Sequence, residues 1–121
     1  MKHPGQIAVI RFPQSDLEGG KLRPVLIIAR LPGGFDDWLV CMISTQLRHE
    51  IKDFDEVILE TDPDFPASGL KAASLVRIGR LAVVDGGQLI GAVGEVSPER
   101  LARIRTNLAA WLSGRSAAQK P

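Results

Sequence analysis

With 121 residues, 45% of them hydrophobic and 24% charged, the chain has the size and composition of one ordinary globular domain, which excludes extended disorder. A net charge of only +1 excludes a uniformly basic nucleic-acid binder. A single cysteine, Cys41, excludes an intrachain disulfide. The opening "MKHPGQIAVIRFPQS" lacks the apolar stretch of a signal peptide, and no run approaches the ~20 apolar residues of a membrane span, so a reducing cytoplasm is the expected location.

In chain order, "QIAVIRF" (6–12) is the first short apolar run and ends at Pro13. "PVLIIAR" (24–30) follows a glycine pair and two cations, and ends at a Pro-Gly-Gly turn. Then come "WLVCMIST" (38–45), where Cys41 reads as a small core hydrophobe, "DEVILE" (55–60), "ASLVRI" (73–78), "RLAVV" (80–84) and "QLIGAV" (88–93). Seven strands this short and this close leave no room for crossover helices, so the expected sheet is antiparallel and strongly bent. Gly79, Gly86, Gly87, Gly91 and Gly94 supply its turns, bulges or corners. The period changes in "SPERLARIRTNLAAWLSG" (97–114): Leu101, Ile104, Leu108, Trp111 and Leu112 form an amphipathic helical stripe. Ser97 is its N-cap, Pro98 its first residue, Glu99 its dipole partner and Gly114 its terminator. The expected architecture is one mainly β domain, 1–114, a small barrel with a C-terminal helix, followed by a disordered tail over 115–121.

Charge is unevenly spread. Residues 50–64 hold seven of the fourteen acids against Lys52 alone, which leaves fourteen bases and seven acids, a formal +7, on the remaining 106 residues. Two readings follow: a solvated acidic loop, or a polarised molecule whose cationic face attracts phosphate.

The motifs narrow the chemistry. Two histidines, His3 and His49, and one cysteine without ligand spacing argue against a metal centre, and no cofactor is expected. "GGKL" lacks the hydroxyl residue and first glycine of a phosphate loop, and "GAVGEVS" lacks a dinucleotide fingerprint. A set of cations and hydroxyls at strand ends remains: Arg23 beside the glycine-containing loop 13–22, and Ser44, Thr45, Gln46 and Arg48 in "ISTQLR". An arginine fork suits a phosphate and a hydroxyl can orient one, provided the fold brings Arg23 and Ser44 together.

These residues carry a resemblance. "PGQIAVIRFP", "GGKLRPVLII", "VCMISTQL", "GLKAASLVRIGRLAVVD" and "SPERLARIRTNLAAWL" together resemble the MazF/PemK (Kid) family of type II toxin-antitoxin toxins over about residues 4–113. The resemblance implies an SH3-like barrel, a homodimer and metal-independent, sequence-specific cleavage of single-stranded RNA, an mRNA interferase. Arg23 matches the catalytic arginine of the Arg-Pro signature and Ser44 the catalytic threonine position, with Thr45 able to exchange roles with it. The 13–22 loop would gate RNA or be displaced by antitoxin, and Lys21 would meet phosphate at its base. Phe12, Phe35 and Gln46 are candidates for reading bases, although either phenylalanine also suits the core. Arg77 matches an arginine of the Kid branch, Gly79 replaces that branch's aspartate, and Arg80 supplies charge beside it. The implied partners are a second copy, an RNA substrate, a cognate antitoxin and, only through the antitoxin complex, operator DNA. A non-catalytic member of the same fold, holding RNA or a protein, is the alternative, and a plain protein-protein adaptor is a third reading.

Overall fold

The apolar runs form six antiparallel strands in a computed structural model that describes residues 2–12 and 21–114. The elements are β1 (Gln6–Phe12), β2 (Lys21–Arg30), β3 (Asp37–Ser44), β4 (Glu56–Ile58), the one-turn helix α1 (Phe65–Ser68), β5 (Ser74–Asp85), β6 (Gly91–Glu95) and α2 (Pro98–Leu112). Of the expected loop 13–22, residues 13–20 lie outside the described residues, as does the tail 115–121, whereas Lys21 and Leu22 are not loop but the first residues of β2.

Strand order across the sheet is β4-β5-β3-β2-β1-β6. The middle strands are covered on both faces, which is why β2 reads as one unbroken apolar run. Leu26 and Ile28 point into a cluster with Ile7, Cys41, Ile43 and Ile78, capped by Ile104 and Leu108 of α2. Val25 and Ile27 point the other way, to Ile10, Trp38 and Val40. Cys41 is fully buried, and that burial pushes its thiol up, so it acts as the core hydrophobe its setting implied. The helix starts as expected, with the Ser97 hydroxyl accepting from the Arg100 amide at 3.1 Å. Trp111 meets Phe54 edge-on at 5.6 Å, but Leu112 is 66% exposed and leaves the predicted stripe. Among the described residues, no helix is long and apolar enough to cross a membrane.

The strand count departs from expectation because the two runs at 73–78 and 80–84 are one strand, β5, with Gly79 inside it. On β3 the successive residues Cys41 and Met42 pair with Leu81 and Arg77, so Ile78, Gly79 and Arg80 form a bulge that bends β5. The buried bulge amide of Ile78 donates to Asp55 Oδ1 at 3.0 Å, and Asp55 Oδ2 accepts from the Ile51 amide at 2.9 Å. β4 is shorter than predicted because the Leu59 amide turns away to Asp62 Oδ2, at 2.8 Å. β6 starts late because a turn at Gly86–Gln88, held by Gln88 Oε1 on the Asp85 amide, precedes it.

The outermost strands, β4 and β6, are not paired with each other. α1 packs against β6, and Arg100, 5% exposed, ties its entry to β4. Its Nε and Nη2 grip both oxygens of Asp64 at 2.8 and 3.0 Å, Nη2 also reaches Asp62 at 3.0 Å, and Nη1 donates to Glu56 at 2.9 Å and to the Val57 carbonyl at 3.0 Å. All five guanidinium donors are thereby satisfied. The acidic run is therefore not simply a solvated loop: Asp55, Glu56, Asp62 and Asp64 are structural acceptors.

Removing the cation would take the guanidinium from Asp62 and Asp64 in a half-buried seam, while Glu56 keeps Arg103 at 3.2 Å. Arg100→Met is expected to cost about 3–5 kcal/mol in urea unfolding; a loss below 1 kcal/mol would show that the seam closes without it. The hydrogen bond from Arg100, with the Ser97 amide assisting against burial, lowers the Asp64 carboxyl from 3.8 to about 2. A carboxyl acidified by folding stabilises the native state above its unfolded value and loses that contribution as protons return. The expected loss lies between about pH 4 and pH 2 and is on the order of 1–2 kcal/mol after solvent screening. Asp64→Asn should flatten that part of the stability-pH curve.

Candidate functional site

Pro24 decides where the sheet opens. The Ile27 carbonyl accepts from Gly5 on the β1 side at 2.8 Å, so by alternation Pro24 aims its backbone at β3, where it has no N–H to give. The ladder between β2 and β3 accordingly ends at Val25 opposite Met42. Continuing that register by two residues sets Arg23 opposite Ser44 across a splayed mouth. Both then share the sheet face that carries Val25 and Met42.

This mouth is a cleft of about 520 Å³, within the usual range for ligand sites. Its rim runs from Val93 of β6 through Val9 of β1, Leu22 to Pro24 of β2 and Ile43 to Gln46 at the end of β3, then to Ser74 and residues 69–72 between α1 and β5. The circle is completed where α1 and β6 touch backbone to backbone. Gly69 has a φ of +70°, and a Cβ there would lie 2.2 Å from the Val93 carbonyl; one on Gly94 would lie 2.2 Å from the Ala67 carbonyl. Two serines fix the segment between. The Ser68 hydroxyl donates to the Phe65 carbonyl at 2.6 Å and accepts from the Leu70 amide at 3.2 Å, while the Ser74 hydroxyl donates to Ala72 at 2.8 Å.

Four of the predicted site residues, Arg23, Ser44, Thr45 and Gln46, line the cleft together. The Ser44 oxygen accepts from the Gln46 amide at 3.0 Å, which leaves the hydroxyl proton available to a ligand. Arg48 stands behind the rim and donates to Gln46 Oε1. Lys21, exposed at the start of β2, does not line the cleft; it pairs along the backbone with Phe12, whose side chain lies outside the described ones. Arg77, opposite Met42, shares the face of Ser44 but not the cleft, and Arg80 is exposed on the β5 bulge. Phe35 is neither core nor rim: it is 75% exposed in the β2–β3 turn, seven strand residues or about 23 Å along β2 from Arg23. Among the described residues, the charged side chains of the lining are Arg23 and Lys71, with no carboxylate or imidazole. Nor do any three His, Cys, Asp or Glu side chains among them converge as metal ligands would.

Sequence reasoning missed the wall made by Gly69, Leu70, Lys71 and Val93. A signal was present in "SGLKAAS", a glycine-terminated turn with a cation just before a strand, which is the feature that drew attention to Lys21 and Arg23. A helix of one turn shows no periodicity, so nothing tied that turn to the mouth.

The model of the family described as PemK-like, MazF-like toxin of type II toxin-antitoxin system matches residues 3–112. No curated protein matches the chain. Among solved structures, MazF from Deinococcus radiodurans is similar at 19% identity and a TM-score of 0.66, and a MazE-MazF complex from the same organism at 20% and 0.69. An endoribonuclease in complex with its cognate antitoxin from a Mycobacterial species is similar at 19% and 0.64. Each alignment covers 93% of this chain and 96% of the other.

Gly69→Ala is expected to lower stability by about 1–3 kcal/mol, because the new methyl group meets the Val93 carbonyl in a left-handed backbone. Thermal unfolding checks it, and an unchanged midpoint would mean that α1 and β6 are not in backbone contact.

Proposed function

The chain belongs to the PemK-like, MazF-like toxin family of type II toxin-antitoxin systems, and from that premise we propose that its cleft binds single-stranded RNA and cuts it without a metal ion. The observation that carries this reading is that Arg23 and Ser44 line one cleft just past the point where the β2–β3 ladder ends at Val25 and Met42. In such a reaction the ribose 2′-hydroxyl gives its proton to water as its oxygen attacks the adjacent phosphorus, the bond to the 5′-oxygen breaks, and that oxygen takes a proton from water. The products are a 2′,3′-cyclic phosphate and a 5′-hydroxyl end. The guanidinium of Arg23 holds the non-bridging oxygens as charge builds on the phosphorane, a role for which its planar fork is suited. The Ser44 hydroxyl, its oxygen already anchored by the Gln46 amide, donates to the same group and fixes its orientation. Thr45, just past the end of β3, lines the same cleft and is assigned to the rim rather than the phosphate. Gln46 and the apolar side chains of the mouth contact bases, which only a single strand can present.

We further propose a homodimer in the cytoplasm whose cleft is covered by a cognate antitoxin, with operator DNA bound only through that complex. Solved structures of similar fold include complexes with MazE or a cognate antitoxin, which supports a partner of this kind. A second reading is favoured by the cleft's described lining, which holds no carboxylate or imidazole to serve as a base, and by Gly79 on the bulge. On that reading the protein holds RNA without cutting it.

The deciding experiment is incubation of a long single-stranded RNA with the protein in EDTA. Wild type is expected to cut at few positions and to leave an all-DNA strand intact. Arg23→Ala and Ser44→Ala should each lower kcat by about 10²–10³-fold, and Thr45→Val by less than tenfold. RNA bound but uncut by wild type would favour the second reading. Equal losses in Ser44→Ala and Thr45→Val would overturn the assignment of the hydroxyl.

A further inference from the structure

The cleft has two cations in its described lining, and they sit on different parts of the rim. Arg23 lies between Val9 of β1 and Ile43 of β3, whereas Lys71 lies between Val93 of β6 and Ser74 of β5. Strands separate them in either direction around the mouth. Lys71 is exposed and, among the described residues, makes no ion pair; the acids nearest in sequence, Asp62 and Asp64, are already held by Arg100. Its backbone is not free to drift, because Ser68 and Ser74 pin the turn at both ends and Gly69 is wedged against β6. Two like charges on the rim of one cleft, with no carboxylate in its described lining, raise the local potential and favour a polyanion with more than one charge over a lone anion.

We propose that Lys71 is a positioning residue that grips a second backbone phosphate of the RNA, away from the one at Arg23, and so fixes the line of the strand across the mouth. The inference rests on the RNA reading above and goes beyond it by assigning work to the wall between α1 and β5. The two side chains suit different tasks. A lysine is a compact charge on a flexible stem and tolerates any phosphate orientation, as a phosphate that does not react allows. The arginine fork imposes geometry, as the reacting one demands. Leu70 and Val93 flank Lys71 and offer apolar surface to the nucleotide between the two phosphates.

The test is binding of a short, 2′-O-methylated single-stranded RNA, which cannot be cut, by the full chain across a salt series. Lys71→Gln is expected to lower the slope of log K against log salt by about 0.7, the value for one phosphate contact to a single strand, and Lys71→Arg to restore it. Lys52→Gln, an exposed cation outside the cleft, should leave the slope unchanged. With cleavable RNA, Lys71→Gln should raise KM about tenfold while kcat stays within about twofold. A wild-type slope in Lys71→Gln, or a fall in kcat with KM unaltered, would overturn the role of Lys71 and leave the RNA reading standing. Failure of wild type to bind the RNA even at low salt would overturn the RNA reading itself, and this inference with it.

Discussion

Arg100 reaches from the first turn of α2 into the seam between β4 and β6 and uses every guanidinium hydrogen there. A half-barrel has two strand edges that must be covered, and here the cover is a one-turn helix too short to hold itself in place. The arginine holds that helix through Asp62 and Asp64 at its entry and ties it to β4 through Glu56 and the Val57 carbonyl. The position of α1 fixes the segment from Gly69 to Ser74, and that segment is the far wall of the cleft. A charge network in the seam thus sets the shape of a mouth whose described lining is neutral and cationic.

The same network explains how a nearly neutral chain presents a cationic site. Half of the acids lie in one stretch, and those that matter structurally are turned toward α2, the β5 bulge and the seam. Once bound there, they do not compete for the cations at the rim. The acidic run thus serves acceptor demand inside the fold through Asp55, Glu56, Asp62 and Asp64, while Asp53 and Glu60 stay exposed.

Much of this was legible because strands and helices have different periods. The long helix, its serine cap, the buried thiol and the central strands could be read from spacing alone. Gly79 misled, since a glycine between two apolar runs marks a turn as readily as a bulge, and only the pairing of β5 with β3 distinguishes them. Phe35 misled for a different reason: an aromatic side chain suits a base platform or a core, but its place in the β2–β3 turn leaves it exposed and remote from the cleft. Arg100 was invisible as an anchor, because its partners lie 36 to 44 positions away and no local pattern links them. The juxtaposition of Arg23 with Ser44 was conditional on register, which a sequence does not print.

That separation also orders events during synthesis. β1, β2 and β3 are joined by nearby contacts and can pair while the rest of the chain is still being made. The seam cannot close until α2 has left the ribosome, since the arginine that locks it is on that helix. A nascent chain therefore carries Arg23 and Ser44 for some time without the wall opposite them. A chain that lacks α2 thus lacks all five hydrogen bonds by which Arg100 holds that wall.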